Sequence, residues 1–164
     1  SAERTFQLIT QVAGRAGRGQ KKGEVIIQTY NPESLAITAA SKYDYEGFFA
    51  EEVGFRKLMK YPPFSDLILV QFIGENESEA EKLALECKDY LSKKEIDKSE
   101  NEIFGPKGSH QISKEKDVFR YSILIKASKG SRNKYIYYIS KYGEYVTSKT
   151  KLSFVIDVNP YSGF

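Results

Sequence analysis

Val118-Phe119-Arg120-Tyr121-Ser122-Ile123-Leu124-Ile125-Lys126 reads as a strong strand. Phe119, Tyr121, Ile123 and Ile125 alternate with other residues, the period of a pleated strand that buries one face. Upstream, a polar stretch fills Gly105–Asp117, and Glu102–Pro106 reads as a short strand broken by Gly105-Pro106. Lys93–Asn101 is charged and loop-like. Asp66–Ile73 is a further strand. Ser78 and Glu81 have the spacing of a capping box, opening a helix whose Ala80, Leu83, Ala84, Cys87 and Leu91 share a face. Downstream, Ser131 to about Lys149 is a second long helix, and Leu152–Val158 is the last strand. The order over residues 65–164 is β-α-β-β-α-β. That pattern predicts an α+β, ferredoxin-like domain with two helices on one face of a mixed sheet.

Residues 32–64 read as a helical linker. Ser34–Ser41 is one short helix. Asp44 can cap a second that runs to about Lys60, with Glu52 and Arg56 four apart in the favourable order for a surface ion pair. Tyr61-Pro62-Pro63 ends it, since proline cannot continue the hydrogen-bond ladder. A rigid connector accounts for Tyr61-Pro62-Pro63-Phe64 better than a proline-rich ligand does.

At the N-terminal end, Glu3–Ala13 reads as a helix, with Phe6, Ile9, Thr10 and Ala13 on one face. Gly14–Gly23 reads as a glycine-rich basic loop. Glu24–Tyr30 follows as a strand in which Val25, Ile26 and Ile27 form an apolar run, and Asn31-Pro32 stops it. The partners of this strand are not in the chain, so its edges are expected to be unprotected. It is expected to pack on the terminal domain, pair with a second copy, or be poorly ordered. Gln11-Val12-Ala13-Gly14-Arg15-Ala16-Gly17-Arg18 joins helix to loop. Gly14 and Gly17 let the backbone turn and approach a ligand closely. Arg15 and Arg18 offer planar forks of donors that match phosphate oxygens, and Gln11 sits one turn before the first glycine. The set suits the γ-phosphate of a nucleotide held mainly by another part of a protein.

With 40% hydrophobic and 29% charged residues the 164-residue chain has globular composition. Its net charge of +3 permits contact with nucleic acid without demanding it. The basic residues are uneven: four lie between Arg15 and Lys22 with no acid, and others concentrate from Lys126 to Lys151. One cysteine, Cys87, and one histidine, His110, leave no disulfide framework and no Cys/His zinc cluster. The expected compartment is a reducing cytoplasm. No apolar run reaches membrane-spanning length and no signal peptide is visible, although the chain reads as starting inside a larger protein.

Gln-x-x-Gly-Arg-x-Gly-Arg has the form of motif VI of superfamily 2 helicases. Gly23-Glu24-Val25-Ile26-Ile27-Gln28-Thr29-Tyr30-Asn31-Pro32, then Tyr61-Pro62-Pro63-Phe64, Phe104-Gly105-Pro106 and Asp157-Val158-Asn159-Pro160 follow in order. That series resembles the C-terminal end of the primosomal protein N′ (PriA) family of bacterial replication-restart helicases, over essentially the whole chain. The resemblance implies that residues 1–31 end the second RecA-like helicase lobe, contributing its last helix and strand. Residues 32–64 would be the linker, and 65–164 a terminal domain similar in fold to a ribosomal protein. It implies an ATP-driven 3′→5′ DNA helicase that recognises stalled forks and works with primosome proteins and single-stranded DNA-binding protein. Arg18, Arg15 and Gln11 would sense the ATP γ-phosphate, with Arg18 as the finger and Gly14 and Gly17 shaping the nucleotide loop. ATP and Mg would belong to the full-length protein, and zinc to the parent but not to this fragment. The chain has no Gly-x-x-x-x-Gly-Lys-Ser/Thr cradle and no Asp-Glu magnesium box, so alone it is expected not to hydrolyse ATP.

Tyr135, Tyr138, Tyr142 and Tyr145 form a stripe on the second long helix, near Lys134, Lys141 and Lys149. They could stack bases of single-stranded DNA while the lysines touch phosphates. The helical wheel favours another reading, with Tyr135 and Tyr142 in the core beside Ile136, Ile139 and Val146, and Tyr138 and Tyr145 at its edge. Lys107, Lys114, Lys116 and Arg120, in and after the polar Gly105–Asp117 segment, are either a DNA contact or plain solvated charge. His110 is expected to be exposed and Cys87 to be a buried, inert thiol. Two rival readings remain: a non-enzymatic nucleic-acid- or protein-binding module with a merely basic Gly-Arg loop, and an adapter that braces helicase lobes.

Overall fold

The computed structural model describes residues 2–16, 24–112 and 117–160. The chain divides into two units, Ser1–Lys57 and Leu58–Phe164. In the first, α1 (Ala2–Ala16), α2 (Leu35–Ser41) and α3 (Tyr45–Leu58) share a small core of Phe6, Ala36, Ala39, Ala40 and Phe48. Phe6 stacks on Phe48 with ring centroids 4.5 Å apart and planes 10° from parallel. Asp44 caps α3 as its position predicts, its Oδ1 accepting from the Gly47 N–H at 2.9 Å. The predicted Glu52–Arg56 pair forms at 2.9 Å, and the guanidinium also reaches Glu3 at 3.1 Å, tying α3 to α1.

Two readings of this region are corrected. Glu24–Tyr30 is not a strand. A strand is defined by the ladder it shares with a neighbour, and no neighbour pairs with it among the described residues; Ile26 stays 88% exposed. The apolar run alone does not make a strand. Gly14 does not begin a loop either, since α1 continues to Ala16. A glycine costs a helix only about 1 kcal/mol, and Arg15 in the last turn complements the helix dipole.

The second unit is α+β. Its elements are β1 (Asp66–Gly74), α4 (Glu77–Ser92), β2 (Glu102–Ile112), β3 (Asp117–Ala127), α5 (Arg132–Lys149) and β4 (Ser153–Val158). They form a four-stranded sheet in the order β2-β3-β1-β4. The expectation of a mixed sheet is corrected: every neighbouring pair is antiparallel. β1 and β2 do run the same way, but β3 lies between them, so no parallel pair exists.

Alternation along β1 and β3 places Ile68, Val70 and Phe72 with Ile123, Ile125 and Ala127 on one face, all at 0% exposure. Against that face pack Ala80, Leu83, Ala84, Cys87 and Leu91 of α4, the set its periodicity predicts. α5 adds Tyr135, Ile139, Tyr142 and Val146. Gly143 lets α5 approach β4, since a Cβ there would sit 2.5 Å from the Phe154 ring.

Two local signals resolve differently from expectation. α4 is capped by Asn76, whose Oδ1 accepts from the Glu79 N–H at 3.2 Å. Ser78 is already helical, so it cannot take the extended conformation a cap requires, whereas Asn76 has φ −100° and ψ 105°. Gly105-Pro106 does not end β2. The pairing shifts between Phe104 and Lys107 and then continues, so the prolyl residue falls in a bulge where no ladder donor is needed. Gly105 has φ 94°, a conformation glycine takes without a Cβ penalty. The segment after it, read from sequence as a polar stretch, is thus half of a hairpin with β3.

Asn159, read above only as part of a motif, closes the sheet. With φ 57° it turns the chain after β4, and its N–H donates to the Leu67 carbonyl at 2.7 Å. Its Oδ1 accepts from the Leu67 N–H, and its Nδ2 donates to Asp66 Oδ1, both at 2.9 Å. Asp66 is only 3% exposed and also accepts from Lys129 Nζ at 3.1 Å. Burial alone pushes the Asp66 carboxyl up. The bonds from Asn159 and Lys129, with the charges of Lys129 and Arg132, outweigh it and hold the group below the ordinary carboxylate value. A folded pKa below the unfolded one stabilises the fold above the unfolded value, and that gain is lost as pH falls through the folded value. Asp66→Asn is therefore expected to lower stability by about 1–3 kcal/mol at neutral pH and to flatten the acid limb of the stability profile. Thermal melting across pH checks this; identical acid limbs for both proteins would refute it.

Candidate functional site

α1 carries the described part of the Gln-x-x-Gly-Arg-x-Gly-Arg series. Gln11 and Arg15 are four apart in the helix, so their side chains leave from one exposed stripe, and Gly14 lies beside them. A Cβ at Gly14 would meet nothing within 4 Å, so no close packing inside this unit requires a glycine there. Gly17 and Arg18 lie outside the described residues. The exposed amide and guanidinium suit the outer oxygens of a phosphate. The chain has neither the backbone cradle nor the paired carboxylates that would hold a nucleotide with its magnesium.

The cations of the second unit fall on two sides of the sheet. Lys134, Lys141 and Lys149 are exposed on α5, on the helical side. Lys134 and Lys141 are seven residues apart and share a stripe, and Lys141 is paired with Glu144 at 3.0 Å. Lys107 pairs in register with Ser122, and Arg120 lies two residues along the same strand. Both therefore belong to the sheet face opposite the helices. Arg120 Nε is buried and has no hydrogen-bond partner among the described residues. Lys114 and Lys116 lie outside the described residues. Among the described residues these cations do not gather into one patch.

The tyrosines of α5 separate as the helical wheel predicts. Tyr135 and Tyr142 are buried, at 3% and 8% exposure, and Tyr145 is exposed. Tyr142 Oη donates to the Leu83 carbonyl at 3.0 Å, and burial raises the pKa of both buried phenols. Tyr138 lies partly buried at the core's edge. The exposed ring that sequence reasoning passed over is Tyr137, two positions from Tyr135 and so turned away from the core. Its signal was present in the same wheel, as the one aromatic of Tyr135–Tyr138 far from the apolar stripe. Lys94, just past the C-cap of α4, places Nζ 3.9 Å from the Tyr90 ring centre and 5.1 Å from that of Tyr138.

His110 is exposed, stacked on Phe119 with centroids 4.6 Å apart, and 3.5 Å from Asp117. Cys87 is buried, and burial pushes its thiol up to about 12, which leaves it protonated and unreactive at neutral pH. Among the described residues no group of His, Cys, Asp and Glu could hold a metal ion. No helix among them is long and apolar enough to cross a membrane.

A family model described as the primosomal protein N C-terminal domain matches residues 57–161. The chain is 42% identical over 130 residues to the replication restart protein PriA of Synechocystis sp., covering 77% of this chain and 15% of that protein. It is 37% identical over 164 residues to the PriA of Bacillus subtilis, covering 98% of this chain and 20% of that protein. To the PriA of Rickettsia felis it is 37% identical over 166 residues, covering 99% of this chain and 24% of that protein. The chain thus spans less than a quarter of the length of these relatives. With the Phe104-Gly105-Pro106 bulge and the Asn159 clasp both inside the matched region, this chain belongs to the PriA family of replication restart proteins.

Proposed function

We propose that this chain is the C-terminal part of an ATP-dependent 3′→5′ DNA helicase that recognises stalled forks and restarts replication by primosome assembly. The observation that carries this reading is the Gln11–Arg18 series, whose described residues Gln11–Ala16 end an exposed helix, in a chain matched nearly end to end by replication restart proteins. Residues 1–31 act as the end of the second RecA-like lobe, with 32–64 as linker and 65–164 as a ferredoxin-like terminal domain. Gln11, Arg15 and Arg18 reach the γ-phosphate of ATP held with Mg by the rest of the helicase. The arginines supply positive charge where negative charge develops on the departing phosphoryl group. The terminal domain contacts fork or single-stranded DNA, in company with primosome proteins and single-stranded DNA-binding protein in the cytoplasm.

Fluorescence anisotropy of the chain against fork, single-stranded and duplex DNA over a salt series tests the DNA part of this reading. Tighter binding to the fork with a steep salt slope is expected, because each phosphate contact releases a counterion. No binding to any of the three at low salt would overturn it, leaving the chain as an arginine donor and brace.

A further inference from the structure

On the helical side of the second unit, the end of α4 and the start of α5 bring three tyrosines together with two lysines. Tyr137 and Tyr138 meet edge to face, their centroids 5.4 Å apart and their planes at 69°. Tyr138 meets Tyr90 at 6.5 Å and 79°, and the Lys94 ammonium lies over both of these rings. Beside them is an open hollow of about 450 Å³ lined by Glu95, Asn133, Lys134, Tyr137 and Tyr138. Tyr137 is 59% exposed, so one of the largest side chains of α5 is left to solvent beside the hollow.

Chemistry selects the occupant. The exposed ring offers a π-face at low conformational cost, and its neighbour stands against it edge-on, so the pair forms a step and not a flat patch. Lys134 lines the hollow and Lys94 stands over the Tyr138 ring at its wall, against a single lining carboxylate, Glu95. A flat aromatic group linked to anions satisfies both features. A nucleobase with its phosphates is such a group, and only an unpaired strand presents a base face to a side chain. An aliphatic or lipid partner would leave the Tyr and Asn polar groups of the hollow without partners.

We propose that Tyr137 and Tyr138, with Lys94 and Lys134, form a stacking site for single-stranded DNA on the helical face of the terminal domain. This rests on the DNA-binding reading above and names the surface and the form of DNA. The site lies on the opposite side of the sheet from Lys107 and Arg120, so single-strand contact here is separate from any contact those cations make.

The test uses the full 164-residue chain and an oligothymidylate carrying one fluorescent adenine analogue, whose emission changes when it stacks. The unaltered chain is expected to bind the oligonucleotide and change its emission. Tyr137→Ser is expected to weaken binding about tenfold and abolish the emission change, while Tyr137→Phe keeps both. Lys134→Ala is expected to lower the salt slope by about one and leave the emission change in place. Tyr137 is exposed, so an unchanged melting temperature in each variant separates loss of the site from loss of the fold. If the unaltered chain binds single strands and Tyr137→Ser does so equally, with the same emission change, the stacking site is refuted and the DNA-binding reading stands. If the unaltered chain binds no DNA of any form, both fall together.

Discussion

Replacing Arg18 with alanine in the full-length protein is expected to cut DNA-stimulated ATP hydrolysis by about 10³-fold or more, with nucleotide binding largely kept. The reason lies in where an arginine of this kind acts. In the ground state most of the nucleotide's binding comes from a phosphate cradle and a magnesium box, motifs that this sequence lacks. Charge then builds on the terminal phosphoryl oxygens as the bond to the leaving group breaks, and a guanidinium aimed there stabilises that state more than the ground state. Losing it therefore lowers turnover and spares affinity. Arg18→Lys is expected to recover little, because an ammonium cannot reproduce the bidentate fork. Arg15, which leaves α1 on the stripe of Gln11, is expected to show the same pattern. Steady-state ATPase assays with a parallel nucleotide-binding titration check both, and unchanged turnover in Arg18→Ala would remove the motif VI assignment.

Phe72→Ala is expected to destabilise the terminal unit by about 3–5 kcal/mol, a large share of the stability of a small domain. Phe72 has 0% exposure on β1, which is flanked by β3 and β4. Its ring meets Tyr142 at 6.3 Å and Phe154 at 5.1 Å, each close to edge-on at 74°. Removing it opens a void between the sheet and α5 that Phe154, already pressed against Gly143, cannot fill without moving. Urea unfolding measures the loss. Tyr145→Ala, at an exposed ring of α5, is the matched control and is expected to stay within about 0.5 kcal/mol of the parent. A Phe72→Ala cost below about 1 kcal/mol would mean that sheet and helices do not share this core.

Periodicity was legible wherever the signal lies within one element, and so were some local signals. The buried face of α4, the alternation along β3, the Asp44 cap and the Glu52–Arg56 pair each depend on residues at most a few positions apart. The core role of Tyr135 and Tyr142 follows from the same wheel that turns Tyr137 outward. The Gln11–Arg18 series and the ordered motifs after it likewise carried the family, since they are strings of residues and need no coordinates.

Only the tertiary structure decided what depends on partners distant in the chain. Glu24–Tyr30 has the composition of a buried strand, yet without a neighbouring ladder among the described residues it is not one. β2 continues past Gly105-Pro106 because β3 pairs on both sides of the bulge, a fact no local reading of a proline reveals. Asn76 in place of Ser78 as cap turns on where the backbone first becomes helical. The basic residues look like one population along the chain, but strand alternation sends Lys107 and Arg120 to one side of the sheet and leaves Lys134, Lys141 and Lys149 with the helices on the other. Sequence by itself determined most of the elements, most of the core and the family; pairing across the sheet, through hydrogen bonds between residues tens of positions apart, decided the register, the extent of β2 and which charges can meet the same ligand.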